Sequence, residues 1–132
     1  MDGPERISRF LAEWTPTAGG ILLGLVLAWF GYHELVQPAP WTGYVPVLNP
    51  SSSFAVILVL IHGWVLLVLA VALLAGVMPR TAAALAAILL AEIVISLAVN
   101  NGLSDLVLRD VGVFGLAVCL AGSSRRRLVL AR

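Results

Sequence analysis

Residues 53–76 read SFAVILVLIHGWVLLVLAVALLAG and contain a single ionisable side chain, His62. A helix crosses the hydrocarbon core of a bilayer with about 20 mostly apolar residues, at about 1.5 Å per residue. This stretch is long enough, so it predicts a membrane-spanning helix that begins after the serine run at 51–53. Lipid is therefore expected to be the solvent for much of the chain.

The composition supports this expectation. Of the 132 residues, 61% are hydrophobic and 11% are charged, whereas soluble domains carry about 25% charged residues. The net charge of +1 gives no electrostatic reason to expect nucleic-acid binding. Cys119 is the only cysteine, which excludes an intrachain disulfide. Residues 1–14 are charged and polar, unlike a signal peptide, so the first apolar segment is expected to remain as a span.

Four spans are predicted within one membrane domain, 1–132. They cover residues 16–36, 53–76, 80–100 and 104–122. Thr15 is the predicted cap of the first span, and Pro16 takes its first helical position. The fourth span is the weakest of the set, because Arg109 and Asp110 interrupt it.

The remaining segments predict an interfacial helix, a loop and a tail. Residues 5–14 carry apolar side chains at helical spacing between charged ones, which is typical of a short amphipathic helix on the membrane surface. Residues 37–52 contain four prolines and predict an outer loop. Residues 123–132 form a basic tail, which is predicted to be cytoplasmic.

The arginines predict the orientation of the spans. With four spans, seven of the eight arginines fall on one side: Arg6, Arg9, Arg80, Arg125, Arg126, Arg127 and Arg132. Positive residues accumulate in cytoplasmic segments. The chain is therefore predicted to be a multi-pass protein with both termini in the cytoplasm.

Small residues at four-residue spacing predict close helix packing. They are Gly20, Gly24 and Ala28 in the first span, and Ala83, Ala87 and Ala91 in the third. Such faces let helix backbones approach closely in lipid. One interpretation is that these faces pack helices within the bundle. The other is that they bind another subunit or a second copy of the chain. Both interpretations remain open.

Ionisable side chains concentrate in the outer half of the predicted bundle: His33, Glu34, His62, Glu92, Arg109 and Asp110. Asp105 and Arg109 are four residues apart and are predicted to form a structural pair. This region holds four carboxylates, at positions 34, 92, 105 and 110, and one arginine, Arg109. If all of them are ionised, three negative charges remain in excess. Protonation, charged histidines, a cation or a partner would have to balance them.

These residues allow a catalytic or a structural role. Glu92 and His62 are the candidates for proton transfer, because charged groups at membrane depth are costly and often functional. No metal-ligand spacing, nucleophile motif or cofactor fingerprint occurs, so neither a metal nor a cofactor bound by the chain alone is predicted. We favour no catalytic activity for the isolated chain.

Three stretches resemble the DoxX family of small bacterial and archaeal membrane proteins. They are GLVLAWFGYHELVQPAPW at 24–41, LLAGVMPRTAAALAAILL at 73–90 and DLVLRDVGVFGLAVCLAG at 105–122. Arg109 and Asp110 match the Arg-Asp pair of the family. Glu34 stands where the family often has Lys, and Leu66 where it often has an acid. The resemblance implies a four-helix bundle in a prokaryotic plasma membrane.

The resemblance also implies functions. Some members of the family are subunits of thiosulfate:quinone oxidoreductase, and others associate with membrane redox or detoxification complexes. The favoured hypothesis is an accessory or structural subunit of a larger membrane complex, with a redox complex as one option. The first alternative is a quinone-binding subunit whose pocket is formed by the six outer-half residues at 33, 34, 62, 92, 109 and 110. The second is a small proton-coupled transporter using Glu92.

Overall fold

The described part of the protein is built from helices. A computed structural model describes residues 2–37 and 53–123. These form four α-helices: α1 Gly3–Val36, α2 Ser53–Ala75, α3 Pro79–Asn101 and α4 Asp105–Gly122. The all-α prediction is confirmed for these residues. The predicted outer loop and basic tail, at 37–52 and 123–132, lie almost entirely outside them.

Three of these helices are long and apolar enough to cross a membrane: Gly3–Val36, Ser53–Ala75 and Pro79–Val99. By contrast, α4 has 18 residues and carries Asp105, Arg109 and Asp110. Large apolar side chains cover much of the bundle surface, and Trp29 and Trp64 are each 63% exposed. Such a surface suits lipid better than water, which supports a membrane protein.

The first helix differs from its prediction. Residues 5–14 are helical but are not a separate helix, because α1 runs without a break from Gly3 through Pro16 to Val36. At about 1.5 Å per residue it measures about 51 Å, well beyond the ~30 Å hydrocarbon core. Thr15 is therefore not a cap. Pro16 is buried beside Leu73 and Leu120, so tertiary packing offsets the backbone hydrogen bond that proline loses.

The four helices share one apolar core. α1 packs mainly on α2, and α3 packs mainly on α4. The core includes Leu23 and Leu27 of α1, Leu66 and Leu73 of α2, Ala83, Ala86, Ala87 and Leu90 of α3, and Ala117 of α4. Ala28 packs against the edge of this cluster, and Ala91 is half-buried.

Neighbouring helices run in opposite directions. At one end of the bundle α1 and α3 end while α2 and α4 begin, and we call this the Glu34 end. At the other end Gly76, with a φ of 78°, closes α2 in the left-handed conformation that glycine tolerates. Arg80 then donates from Nε to the carbonyl oxygen of Ala121 at 3.3 Å, which ties the start of α3 to the end of α4.

Candidate functional site

Two glycines let α1 and α2 approach closely at the Glu34 end. A Cβ on Gly31 would lie 2.9 Å from the Gly63 carbonyl oxygen, and one on Gly63 would lie 3.1 Å from Glu34 Cβ. Further along the same interface, a Cβ on Gly24 would lie 2.9 Å from Leu74 Cγ. The absence of side chains at these glycines therefore sets the distance between the two helices and brings Glu34 against α2.

Glu34 and His62 form a pair across this close approach. His62 Nδ1 lies 2.9 Å from Glu34 Oε2 and 3.2 Å from Oε1. The side chains are 5% exposed for Glu34 and 19% exposed for His62. Since a carboxylate only accepts hydrogen bonds, Nδ1 carries the proton that is donated. The pair is an acid and a base held in a largely desolvated setting.

Glu92 of α3 lies at the surface of the bundle. It is exposed, yet close enough to His62 to interact with it electrostatically. No described residue makes an ion pair or a hydrogen bond with the Glu92 carboxylate.

Arg109 and Asp110 form a second, separate pair on α4. Arg109 Nε lies 3.8 Å from Asp110 Oδ1, and the side chains are 60% and 6% exposed. Within the described residues, this is the ion pair that Arg109 makes, so it is not joined to Asp105 as predicted. Asp105 is exposed in the first turn of α4, where the helix dipole already favours a negative charge.

His33 lies outside both groups. Its Nδ1–H donates to the Trp29 carbonyl oxygen at 2.8 Å, and its ring packs against Trp29 with ring centroids 4.1 Å apart. Successive helix positions point about 100° apart because a turn takes 3.6 residues. His33 therefore faces away from the partner of Glu34, and the six predicted pocket residues do not form one pocket in this structure.

The two glycines at the close approach were missed from sequence. The seven-residue spacing of Gly24 and Gly31 was the available signal for α1. For Gly63 the sequence offers no spacing signal. Its one distinction is its position next to His62 in an otherwise bulky apolar helix. No three His, Cys, Asp or Glu side chains in the described ranges come together closely enough to hold a metal ion.

The comparisons with known proteins identify no relative. The chain matches no family model, no curated protein and no solved structure.

Proposed function

We propose that this chain is an accessory subunit of a larger membrane protein complex, and that it joins the complex through the outer face of α3. It has four spans in a prokaryotic plasma membrane, with both termini in the cytoplasm. The resemblance to the DoxX family supports this proposal, because some members of that family are subunits of membrane oxidoreductases.

The observation that carries the proposal is the position of Glu92. On α3 it stands in a row of exposed aliphatic side chains, which we call the α3 stripe: Leu85, Ile88, Ile95 and Val99. A charged side chain at the centre of a spanning helix costs about 2.5–3.5 kcal/mol by insertion scales. An aliphatic surface suits lipid, but a carboxylate within it does not.

The other acids at the Glu34 end have compensation that Glu92 lacks. Glu34 is paired with His62, and Asp110 lies beside Arg109. Asp105 lies at the start of its helix, where the dipole favours it. Among the described residues, Glu92 is the acid at this end with no ion pair, no hydrogen bond and no position at a helix start, so we propose that a group from outside the chain balances its charge.

The partner that fits this face is a spanning helix of another subunit with a Lys or Arg at the depth of Glu92. Its apolar side chains would cover the α3 stripe and its cation would neutralise the carboxylate. A symmetric dimer centred on the stripe would instead bring Glu92 against its own copy, which places two like charges together. A different subunit therefore suits the face better.

Native extraction in a mild detergent, with the mass of the complex measured, tests the proposal. Removing one member of a desolvated charge pair costs about 2 kcal/mol or more, so Glu92→Gln should weaken the assembly by about 30-fold or more. Glu5→Gln makes the same chemical change in the exposed first turn of α1 and should leave the assembly intact.

A charge exchange identifies the partner residue. Glu92→Lys should abolish the assembly, and replacing the partner's cation by Glu should restore it. An assembly that survives both Glu92→Gln and Glu92→Leu would contradict the proposal. A homo-oligomer with no other subunit would also contradict it.

A quinone-binding subunit is the second candidate, and the Glu34–His62 pair favours it. His62 keeps part of its ring exposed, and none of the described residues forms a hydrogen bond with its Nε2. A histidine held by a buried carboxylate is suited to give a proton to a quinone oxygen or take one from it. The electrons would have to come from a partner, since no redox group is expected in the chain.

Quinone content distinguishes this candidate. If it is correct, the purified protein carries quinone in proportion to protein, and His62→Gln removes most of it. His33→Gln is the matched control, because His33 faces away from the pair, and it should retain the quinone. Equal quinone loss in both variants, or none in either, would count against a site at His62.

A further inference from the structure

A small cavity lies at the Glu34 end between α1, α3 and α4. Its volume is about 30 Å³. Its wall is apolar, with Phe30, Leu90 and Leu97 among the lining residues, except for Arg109 and Asp110. The cavity is distinct from the Glu34–His62 pair, and nothing in the proposed function uses it.

Asp110 brings an unsatisfied acceptor to this cavity. The residue is 4% exposed, and its Oδ1 atom is buried with no hydrogen-bond partner. Arg109 Nε lies 3.8 Å away, which is an ion-pair distance but too long for a hydrogen bond. Leaving a buried charged acceptor unpaired is costly, and a group that bridges the Arg109 guanidinium and Asp110 would supply the missing hydrogen bond.

We infer that this cavity is a binding site for a hydroxyl group that bridges Arg109 and Asp110. The group must donate a hydrogen bond to Asp110 Oδ1 and accept one from the Arg109 guanidinium, which is a donor only. A carbonyl cannot donate and an ammonium cannot accept, whereas the single oxygen of a hydroxyl does both in the smallest volume.

The size of the cavity limits what carries the hydroxyl. A water needs about 10–15 Å³ of such volume, so the cavity holds one or two waters. The hydroxyl of a larger apolar alcohol or phenol can also enter, but the body of that molecule must lie outside, because a cavity that binds benzene measures about 150 Å³. The two sources share one chemistry, and they are separated by experiment.

Methyl NMR of the detergent-solubilised protein provides the first arm. Leu97 and Leu106 line the cavity, so their methyl groups should show magnetisation transfer from bound water. Asp110→Leu should abolish that transfer, and Asp110→Asn, which keeps an acceptor oxygen, should retain it. The Asn variant also keeps the test valid if the Leu variant does not fold.

Titration with phenol and with benzene is the second arm. If a ligand hydroxyl occupies the site, phenol should shift these methyl signals at concentrations about tenfold or more below the concentrations that benzene needs. The difference is the one expected from a single hydrogen bond to a charged group. Either the water signal or the phenol preference supports the site and names its source. The inference is overturned if wild type shows neither, or if Asp110→Leu leaves both unchanged.

Discussion

His62 Nδ1 lies 2.9 Å from Glu34 Oε2 and joins the end of α1 to α2 inside the bundle. The pair lies at the point where Gly31 and Gly63 bring the two helix backbones together. The Glu34–His62 pair therefore depends on the close approach of α1 and α2, and that approach depends on the pair. This relationship predicts how substitutions at either feature alter stability.

Removing Glu34 should destabilise the fold. Glu34→Leu leaves the His62 ring without its partner in a largely buried position, and breaking a buried pair costs about 3 kcal/mol or more. Thermal unfolding in detergent micelles measures the effect. The double variant with His62→Leu should be more stable than the sum of the two single effects predicts. A Glu34→Leu protein as stable as wild type would contradict the coupling.

Adding a methyl group at the close approach should also destabilise the protein. A Cβ at residue 63 would lie 3.2 Å from the Gly31 carbonyl oxygen and 3.2 Å from Leu35 Cγ. We expect Gly63→Ala to cost about 1–3 kcal/mol through overpacking.

A glycine in α4 provides the matched control. A Cβ on Gly112 meets nothing within 4 Å, and alanine favours a helix by up to about 1 kcal/mol over glycine. Gly112→Ala should therefore be neutral or stabilising. If both substitutions change the unfolding temperature equally, the approach of α1 to α2 is not as close as described.

The continuity of α1 predicts a distance. Spin labels at positions 8 and 22, in a Cys119→Ser background, should be about 21 Å apart along an unbroken helix. A surface helix turned at Pro16 would bring the labels markedly closer. Pulsed electron resonance in nanodiscs measures this separation, and a clearly shorter one would show that α1 bends at the membrane surface.

The number of spans can be tested with topology reporters. Alkaline phosphatase, active only outside the cytoplasm, is fused after residue 103 or after residue 132. Four spans predict activity for the first fusion and none for the second. Three spans, with α4 outside the membrane, would give activity in both fusions.

The lengths of the apolar runs predict the helices but not how the helices meet. Apolar length predicted Ser53–Ala75 almost to the residue, because lipid demands such a run. Local chemistry predicts a helix start at Pro16, but α1 continues through this residue because tertiary packing holds it. The registers of α1, α2 and α3 decide which ionisable residues meet. Hence Glu34 and His62 were placed in one group with His33, which in fact turns to Trp29.

Residue spacing also does not predict which charged side chains pair. Asp105 and Arg109 have the four-residue spacing of a helix pair, but the Asp110 side chain is buried at the α3–α4 interface next to Arg109. Glu92 was recognised as costly, yet only the packed bundle shows that it faces outward in an aliphatic stripe. Because it is exposed there, Glu92 becomes a candidate contact with another protein.

The most direct test of this account is photocrosslinking from the α3 stripe in native membranes. A photoreactive amino acid at position 88 or 95, one helical turn to either side of Glu92, should yield one discrete protein adduct. The same probe at position 22, an exposed site on α1, should react only with lipid, and Glu92→Gln should remove the adduct. Reaction with lipid alone at positions 88 and 95 would contradict the claim that another subunit covers Glu92.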